Sequence, residues 1–170
     1  MKMAGLVAIL LWSLPGMAQE MHVSQGKGIV VLSVWALKPY QLMSGEEVVP
    51  IFAVDCIQKG KKISHLLKFL PGGLLVEESS DISAKSGESV FSMTINGTKQ
   101  ITEWTSSDPS TFVYDAKTDA DRVNFIQSLL NSGSVSIEFK PFLNGATTTS
   151  KFDLGKLREE MAKHPECGTH

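Results

Sequence analysis

The chain has 170 residues, 42% of them hydrophobic, and its 16 Lys and Arg residues nearly balance 18 Asp and Glu residues for a formal net charge of −2. This composition suits a folded globular chain and excludes a strongly basic protein that holds nucleic acid or anionic lipid through surplus positive charge. We therefore expect no nucleic-acid partner, and no motif in the sequence indicates a cofactor or a metal site.

The first 18 residues have the pattern of a secretory signal peptide. Lys2 precedes an apolar run over residues 3–14, which is followed by Pro15 and Gly16 and by the small residue Ala18. The run is shorter than the roughly 20 residues that span a bilayer. We expect cleavage after Ala18, which leaves residues 19–170 as one periplasmic or secreted domain without a membrane span. An uncleaved N-terminal anchor is the alternative.

The first half of this domain predicts strands separated by turns. Residues 19–27 are polar and indicate a loose lead-in, and residues 38–47 indicate a connection. Gly60 supplies a permissive backbone for a turn, so the strands on either side of it should form a hairpin. Runs rich in β-branched, aromatic or other apolar residues predict strands at 28–37, 48–58, 63–70 and 74–79.

The second half predicts more strands and two helices. Asn96-Gly97 is a strong hairpin signal because both turn positions tolerate positive φ. One helix is expected over 118–133, with Thr118 as its N-cap and Gly133 as its stop. The last helix should be capped by Asp153 and end before Pro165. Alternating patterns predict strands at 89–95, 99–107, 111–116, 134–142 and 151–154.

These elements indicate a mainly β (α+β) fold, an antiparallel β-sandwich-like domain with two short helices. The two cysteines of the chain, Cys56 and Cys167, should form a disulfide in an oxidising compartment. That bond would tie the last helix to a central strand. A redox or metal-binding thiol is the alternative, because His164 and His170 lie around Cys167.

The pattern over residues 49–167 resembles a family of small secreted bacterial proteins, the type VI secretion accessory proteins that include TagO and VasI. The resemblance implies a disulfide-linked β domain in the bacterial envelope. The chain departs from the family pattern at Asp55, where the family often has a basic residue. The matching positions are Cys56, Trp104, Ser107, Asp108, Phe112, Leu129, Pro141, Phe142, Phe152, Asp153, Leu154, Leu157 and Cys167.

No catalytic constellation is visible in the sequence, so we expect a non-enzymatic protein. The four histidines are scattered, and His65, in a predicted strand, is expected to be a structural residue. A cell-wall hydrolase would need a base and a nucleophile from distant parts of the chain.

Two binding hypotheses follow. The first is an accessory module that binds a protein partner, with a secretion-system component as one candidate, through an exposed strand edge such as residues 111–116. The second is a small-ligand or glycan binder that uses the polar loop at 105–111 and its aromatic neighbours. The candidate binding residues are Trp104, Ser107, Asp108 and Tyr114, although Trp104 also suits a core position.

Overall fold

The structure is a computed structural model that describes residues 20–72, 88–108, 110–141 and 146–167, leaving aside the side chains of residues 88, 89, 107 and 108. The predicted signal peptide at 1–18 and the predicted strand at 74–79 lie outside the described residues, as does most of the polar loop that follows that strand.

The described residues form mainly β-strands, with two α-helices late in the chain. A short 3₁₀ turn, Pro165–Cys167, follows the second helix. The elements in chain order are β1 (Met21–Gly26), β2 (Ile29–Trp35), β3 (Tyr40–Gln41), β4 (Glu47–Val48), β5 (Ile51–Lys59), β6 (Lys62–Leu70), β7 (Glu88–Ile95), β8 (Thr98–Asp108), β9 (Thr111–Tyr114), α1 (Asp119–Ser132), β10 (Ser134–Phe139), β11 (Thr148–Asp153) and α2 (Gly155–Met161).

Nine of these strands form one antiparallel sheet in the order β1-β2-β5-β6-β9-β8-β7-β10-β11, and β3 pairs with β4 in a small separate ladder. The predicted mainly β, antiparallel fold with two helices is confirmed. Every neighbouring pair is antiparallel, so each strand can bury one face and expose the other.

The sheet folds over so that its two halves face each other, which gives the sandwich-like arrangement. Phe69 of β6 contacts Phe139 of β10 with 5.2 Å between ring centroids, and Phe52 of β5 contacts Phe152 of β11 at 5.6 Å. The N–H of Leu37, just after β2, donates to the carbonyl of Lys151 in β11 over 2.9 Å. Aromatic side chains from both halves therefore form one buried core.

Local sequence explains the hairpins. Asn96 and Gly97 both have positive φ, 51° and 75°, and join β7 to β8 in the two-residue turn that favours this dipeptide. Gly60, at φ 64°, turns β5 into β6, and their register runs without a break from Ile51↔Leu70 to Lys59↔Lys62. Both hairpin predictions are confirmed.

Two predicted connections contain strands. The expected loose lead-in forms β1, whose six residues pair with β2 although all but Met21 are exposed. Backbone pairing stabilises this strand, and its side chains need no apolar alternation because neither face is fully buried. The expected connection between β2 and β5 contains β3 and β4, where the Tyr40 hydroxyl donates to the Pro71 carbonyl over 2.9 Å.

The helices begin and end as local chemistry dictates. Thr118 Oγ1 accepts from the Asp121 N–H over 3.1 Å at the start of α1, and Gly133 ends the helix with φ 72°. The predicted Asp153 cap of α2 is wrong by one residue, because Leu154 occupies the N-cap without a side-chain bond. Asp153 Oδ1 still accepts from the Gly155 N–H over 2.9 Å. Helix α1 packs on β6 and β10, and α2 packs on β2.

The disulfide between Cys56 and Cys167 is present, and both residues are fully buried. It joins β5 to the 3₁₀ turn after α2, as predicted. His65 lies opposite Cys56 in the β5–β6 hairpin and donates from Nε2 to the Cys167 carbonyl over 2.6 Å. We call Cys56, His65 and Cys167 the disulfide region; its side chains hold the end of the chain against the sheet.

Candidate functional site

Trp104, the aromatic candidate of the sequence analysis, lies in the core with no exposed surface. Its indole N–H donates to Thr102 Oγ1 over 2.8 Å, and that hydroxyl donates to the Phe91 carbonyl over 3.1 Å. The indole ring also contacts Phe91 edge to face. Trp104 thus occupies the core position that its alternating strand pattern allowed. Neighbouring residues separate its ring from any ligand at the surface.

Of the other candidates, the structure describes the side chain of Tyr114 alone. The side chains of Ser107 and Asp108 lie outside the described residues, although their backbone belongs to the end of β8, where a bulge interrupts the pairing with β9. Tyr114, at the end of β9, is half-buried; its ring stacks on Phe125 of α1 with 4.3 Å between centroids. Tyr114 is therefore the candidate that the structure places beside a surface pocket.

The prediction that residues 111–116 form an exposed strand edge is wrong. Strand β9 lies between β6 and β8 and pairs with both, so its backbone groups are used within the sheet. The position of this predicted strand between two longer ones could not be recognised from sequence, because strand order in a sheet depends on distant segments.

Because β9 has only four residues, part of β8 has no neighbouring strand on that side in the part of the chain that the structure describes. The β8–β9 pairing begins at Trp104, and one further bond joins the Asp115 N–H to the Glu103 carbonyl over 3.0 Å. Strand β8, however, starts at Thr98. Residues 98–102 thus pair with β7 on one side and lie beyond the end of β9 on the other; we call them the open edge.

The direction of the backbone groups at the open edge follows from the register. Successive residues of a strand direct their N–H and C=O groups to opposite sides. Since the Glu103 carbonyl faces β9, the groups of Ile101 and Lys99 face the same, open side. Among the described residues, no backbone hydrogen bond reaches these groups on that side. No described residue therefore prevents them from pairing with an added strand.

A pocket of about 460 Å³ adjoins the open edge. Residues 101–103 form one wall, and residues 114–117 and Asp121, at the start of α1, form the other. The Ile101 side chain is 73% exposed, which is unusual for a large aliphatic residue in a strand. The volume lies within the roughly 300–1,000 Å³ that is typical of binding pockets. We call this cavity the acidic pocket.

Negative charge dominates the acidic pocket. Its lining contains three carboxylates, from Glu103, Asp115 and Asp121, against one ammonium group, from Lys117. Burial raises the pKa of the Tyr114 phenol above its usual value, and all three carboxylates raise that pKa further, whereas Arg122 lowers it. The phenol therefore lies in a net negative potential that favours a positive charge nearby.

The sequence analysis missed most of this pocket. From sequence, Asp121 is only an acidic residue in the first turn of a predicted helix, where a negative charge favours the helix N-terminus, and nothing singles out Glu103, Asp115 or Lys117. One local signal was available: Ile101 falls on the polar face of the alternating strand at 98–108, where a large aliphatic residue is unexpected. The approach of Asp121 to β8 depends on tertiary structure and has no such signal.

Asp55 is the position at which the chain departs from the family that it resembles, and the structure gives this residue a structural role. Its carboxylate is buried and lies 2.5 Å from Lys68 Nζ on β6. Its second oxygen, Oδ1, has no hydrogen-bond partner among the residues that the structure describes. The ion pair joins β5 to β6 next to the disulfide region, so we assign Asp55 to the fold.

A thiol or metal function for Cys167 does not fit the structure, because its sulfur is bonded to Cys56. In the part of the chain that the structure describes, no group of three or more His, Cys, Asp or Glu side chains is placed to hold a metal ion. His170 lies outside that part.

No protein-family model, curated protein or solved structure matches this chain. The site must therefore be interpreted from its own geometry. Within the described ranges, no helix has the length and apolar character needed to cross a membrane.

Proposed function

We propose that this protein is a non-enzymatic binding module that holds an extended segment of a protein partner along the open edge of β8. The observation that carries the proposal is the backbone of Lys99 and Ile101, which forms no hydrogen bond on the open side with any residue in the described ranges. An extended peptide that pairs with such groups gains main-chain hydrogen bonds, and neighbouring pockets select its side chains. Natural sheets usually protect an edge of this kind, so an open one beside a pocket favours a binding role.

Strand addition is a better proposal than glycan or small-ligand binding at the aromatic residues. Sugar rings are commonly held against exposed aromatic faces, but Trp104 is fully buried. Tyr114 stacks on Phe125 and packs edge to face with Trp104, at 5.7 Å between centroids. Exposed apolar surface is available instead at Ile101, on the open edge itself.

The compartment we propose is the bacterial envelope or the extracellular space. The signal-peptide pattern at residues 1–18 and the disulfide support an oxidising location. The resemblance to the TagO and VasI family supports an accessory role in a secretion system, with a component of that system as the partner.

Photo-crosslinking in the native cell tests the proposal. A crosslinking residue replaces exposed Gln100 on the open edge, and a second variant carries it at exposed Glu159 on α2 as a position control. We expect one partner to be crosslinked from position 100 and not from position 159, with the linked residues mapped by mass spectrometry.

A proline variant shows whether the partner uses the backbone. Ile101→Pro removes an N–H that faces the open side and leaves the β7–β8 ladder intact, which is the position where a strand tolerates proline. Ile101→Ala removes the side chain and keeps the N–H. The crosslink should disappear in the proline variant and persist, weakened, in the alanine variant. Equal crosslinking in both would contradict strand addition.

A further inference from the structure

The open edge and the acidic pocket share Ile101, so a strand added to the edge must place side chains at the pocket. Such a strand, antiparallel to β8, occupies the position that β9 would have reached had it continued past Tyr114. Its first residues then lie next to Asp115, whose N–H forms the last bond of β9 to β8. The path of the backbone therefore fixes which protein groups a side chain of the segment meets.

Those groups are carboxylates on three separate elements. Glu103 belongs to β8, Asp115 follows β9, and Asp121 lies in the first turn of α1. The positive groups nearby are partly engaged: Lys99 pairs with Glu138 at 2.7 Å, and Arg122 pairs with Asp119 at 2.9 Å. Lys117 is the remaining ammonium group in the lining. The charge that an incoming side chain meets is therefore negative.

We infer that the partner segment carries a lysine or arginine side chain that enters the acidic pocket, while its backbone pairs with the open edge. This inference rests on the proposed strand addition and adds the chemistry of the partner. An ammonium or guanidinium group there would form charge-assisted hydrogen bonds with Glu103, Asp115 or Asp121. An acidic side chain at the same place would be repelled, which gives the site specificity for cationic strands.

Defined peptides can test this inference without knowledge of the natural partner. The probes are fluorescent heptapeptides of alternating threonine and valine, acetylated and amidated so that no terminal charge remains. They differ at the central residue, which is Lys, Arg, Met or Glu. Binding to the folded protein is measured by fluorescence anisotropy. We expect the Lys and Arg peptides to bind about tenfold more tightly than the Met peptide, and the Glu peptide to bind most weakly.

Charge-neutralising variants identify the pocket as the source of this preference. Glu103→Gln and Asp115→Asn should each reduce the advantage of Lys over Met, and the double variant should remove most of it. Glu159→Gln makes the same chemical change on exposed α2 and should leave the preference unchanged. The advantage should also shrink between about 0.05 and 0.5 M salt, because screening weakens exposed charge pairs.

Amide hydrogen exchange at Lys99 and Ile101 distinguishes failure of the cationic preference from failure of strand addition itself. If all four peptides bind equally and protect these amides, strand addition stands and the cationic preference is wrong. If no peptide binds or protects them, both the inference and the proposed function are overturned. Preferential binding of the Lys peptide that survives in Ile101→Pro, with no amide protection, would overturn strand addition and retain a cation pocket alone.

Discussion

At the disulfide region, the protein satisfies its own buried groups: Cys56 and Cys167 are bonded to each other, and His65 donates to the Cys167 carbonyl. At the open edge, the backbone groups of Lys99 and Ile101 face outward with no hydrogen-bond partner among the described residues, beside three carboxylates. Cys56 and His65 lie on the β5–β6 hairpin and the open edge lies on the β7–β8 hairpin of the same sheet. The first contributes to stability, whereas the second, once solvated, costs little to leave unpaired and remains available for binding.

This comparison predicts that substitutions in the two regions differ in kind. Changes at the disulfide region should lower the free energy of unfolding, and changes at the open edge should alter binding with little effect on folding.

Removing the disulfide should have the largest effect. The bond joins residues 111 positions apart, for which the chain-entropy model gives on the order of 4–5 kcal/mol. We expect the Cys56→Ser, Cys167→Ser double variant to lose about 2–5 kcal/mol of unfolding free energy, measured by urea denaturation. Wild-type protein in strong reductant is the control and should unfold at nearly the same urea concentration. A double variant as stable as the oxidised protein would contradict the structural role.

His65→Ala should have the next largest effect, because it leaves the buried Cys167 carbonyl without its donor. The expected loss is about 1–3 kcal/mol of unfolding free energy. Gln100→Ala, at an exposed position of β8, is the control and should change stability by less than about 0.5 kcal/mol. If both variants unfold at the wild-type urea concentration, His65 does not contribute through its hydrogen bond.

The two tyrosines of the chain provide a pH test: Tyr40 lies in β3, and Tyr114 lines the acidic pocket. Burial raises the pKa of Tyr40, and burial with nearby carboxylates raises the pKa of Tyr114. A raised folded-state pKa means that folding favours the neutral phenol. That contribution to stability is complete below about pH 10, the pKa in the unfolded chain, and is lost as pH rises through the folded-state pKa.

Absorbance near 295 nm measures both ionisations. We expect both phenols to titrate above pH 10 in the folded protein and near pH 10 in urea. Tyr114→Phe should remove one transition and leave stability at neutral pH almost unchanged. Tyr40→Phe should remove the other and cost about 1 kcal/mol, since it leaves the Pro71 carbonyl unpaired. A Tyr114 transition at or below pH 10 would contradict the negative potential of the acidic pocket.

The smallest effects on stability are expected at the open edge itself. Ile101→Ala and Glu103→Gln change side chains that are exposed and should each shift unfolding free energy by less than about 0.5 kcal/mol. Circular dichroism melting curves provide the measurement. A loss of more than about 1 kcal/mol in either variant would mean that these residues serve the fold and would weaken the case for a binding site.

Local chemistry made much of the fold predictable. The Asn96-Gly97 hairpin, the caps of α1 and the disulfide follow from residues that act on their immediate neighbours or through the redox compartment. β1 was missed because an exposed strand stabilised by backbone pairing carries no apolar alternation. The position of β9 between β6 and β8 was missed because nothing within residues 111–116 indicates which strands pair with that segment.

The same distinction between local and long-range signals explains which parts of the candidate site could be predicted. Tyr114 was found because an aromatic residue next to a polar loop is a local signal. The acidic pocket was not found because Glu103, Asp115 and Asp121 approach one another only after β9 has ended and α1 has packed beside it. The core position of Trp104 depends on Thr102, which accepts its indole N–H. The alternating pattern of the strand is compatible with a core position for Trp104 but does not require one.

Residue-resolved amide hydrogen exchange on the free protein tests the central claim most directly. In β8, the N–H groups of Gln100 and Thr102 face β7, and those of Lys99 and Ile101 face the open side. We predict slow exchange at 100 and 102 and fast, nearly unprotected exchange at 99 and 101. Equal protection of all four amides would show that the edge is already occupied within the protein and would contradict the proposed binding site.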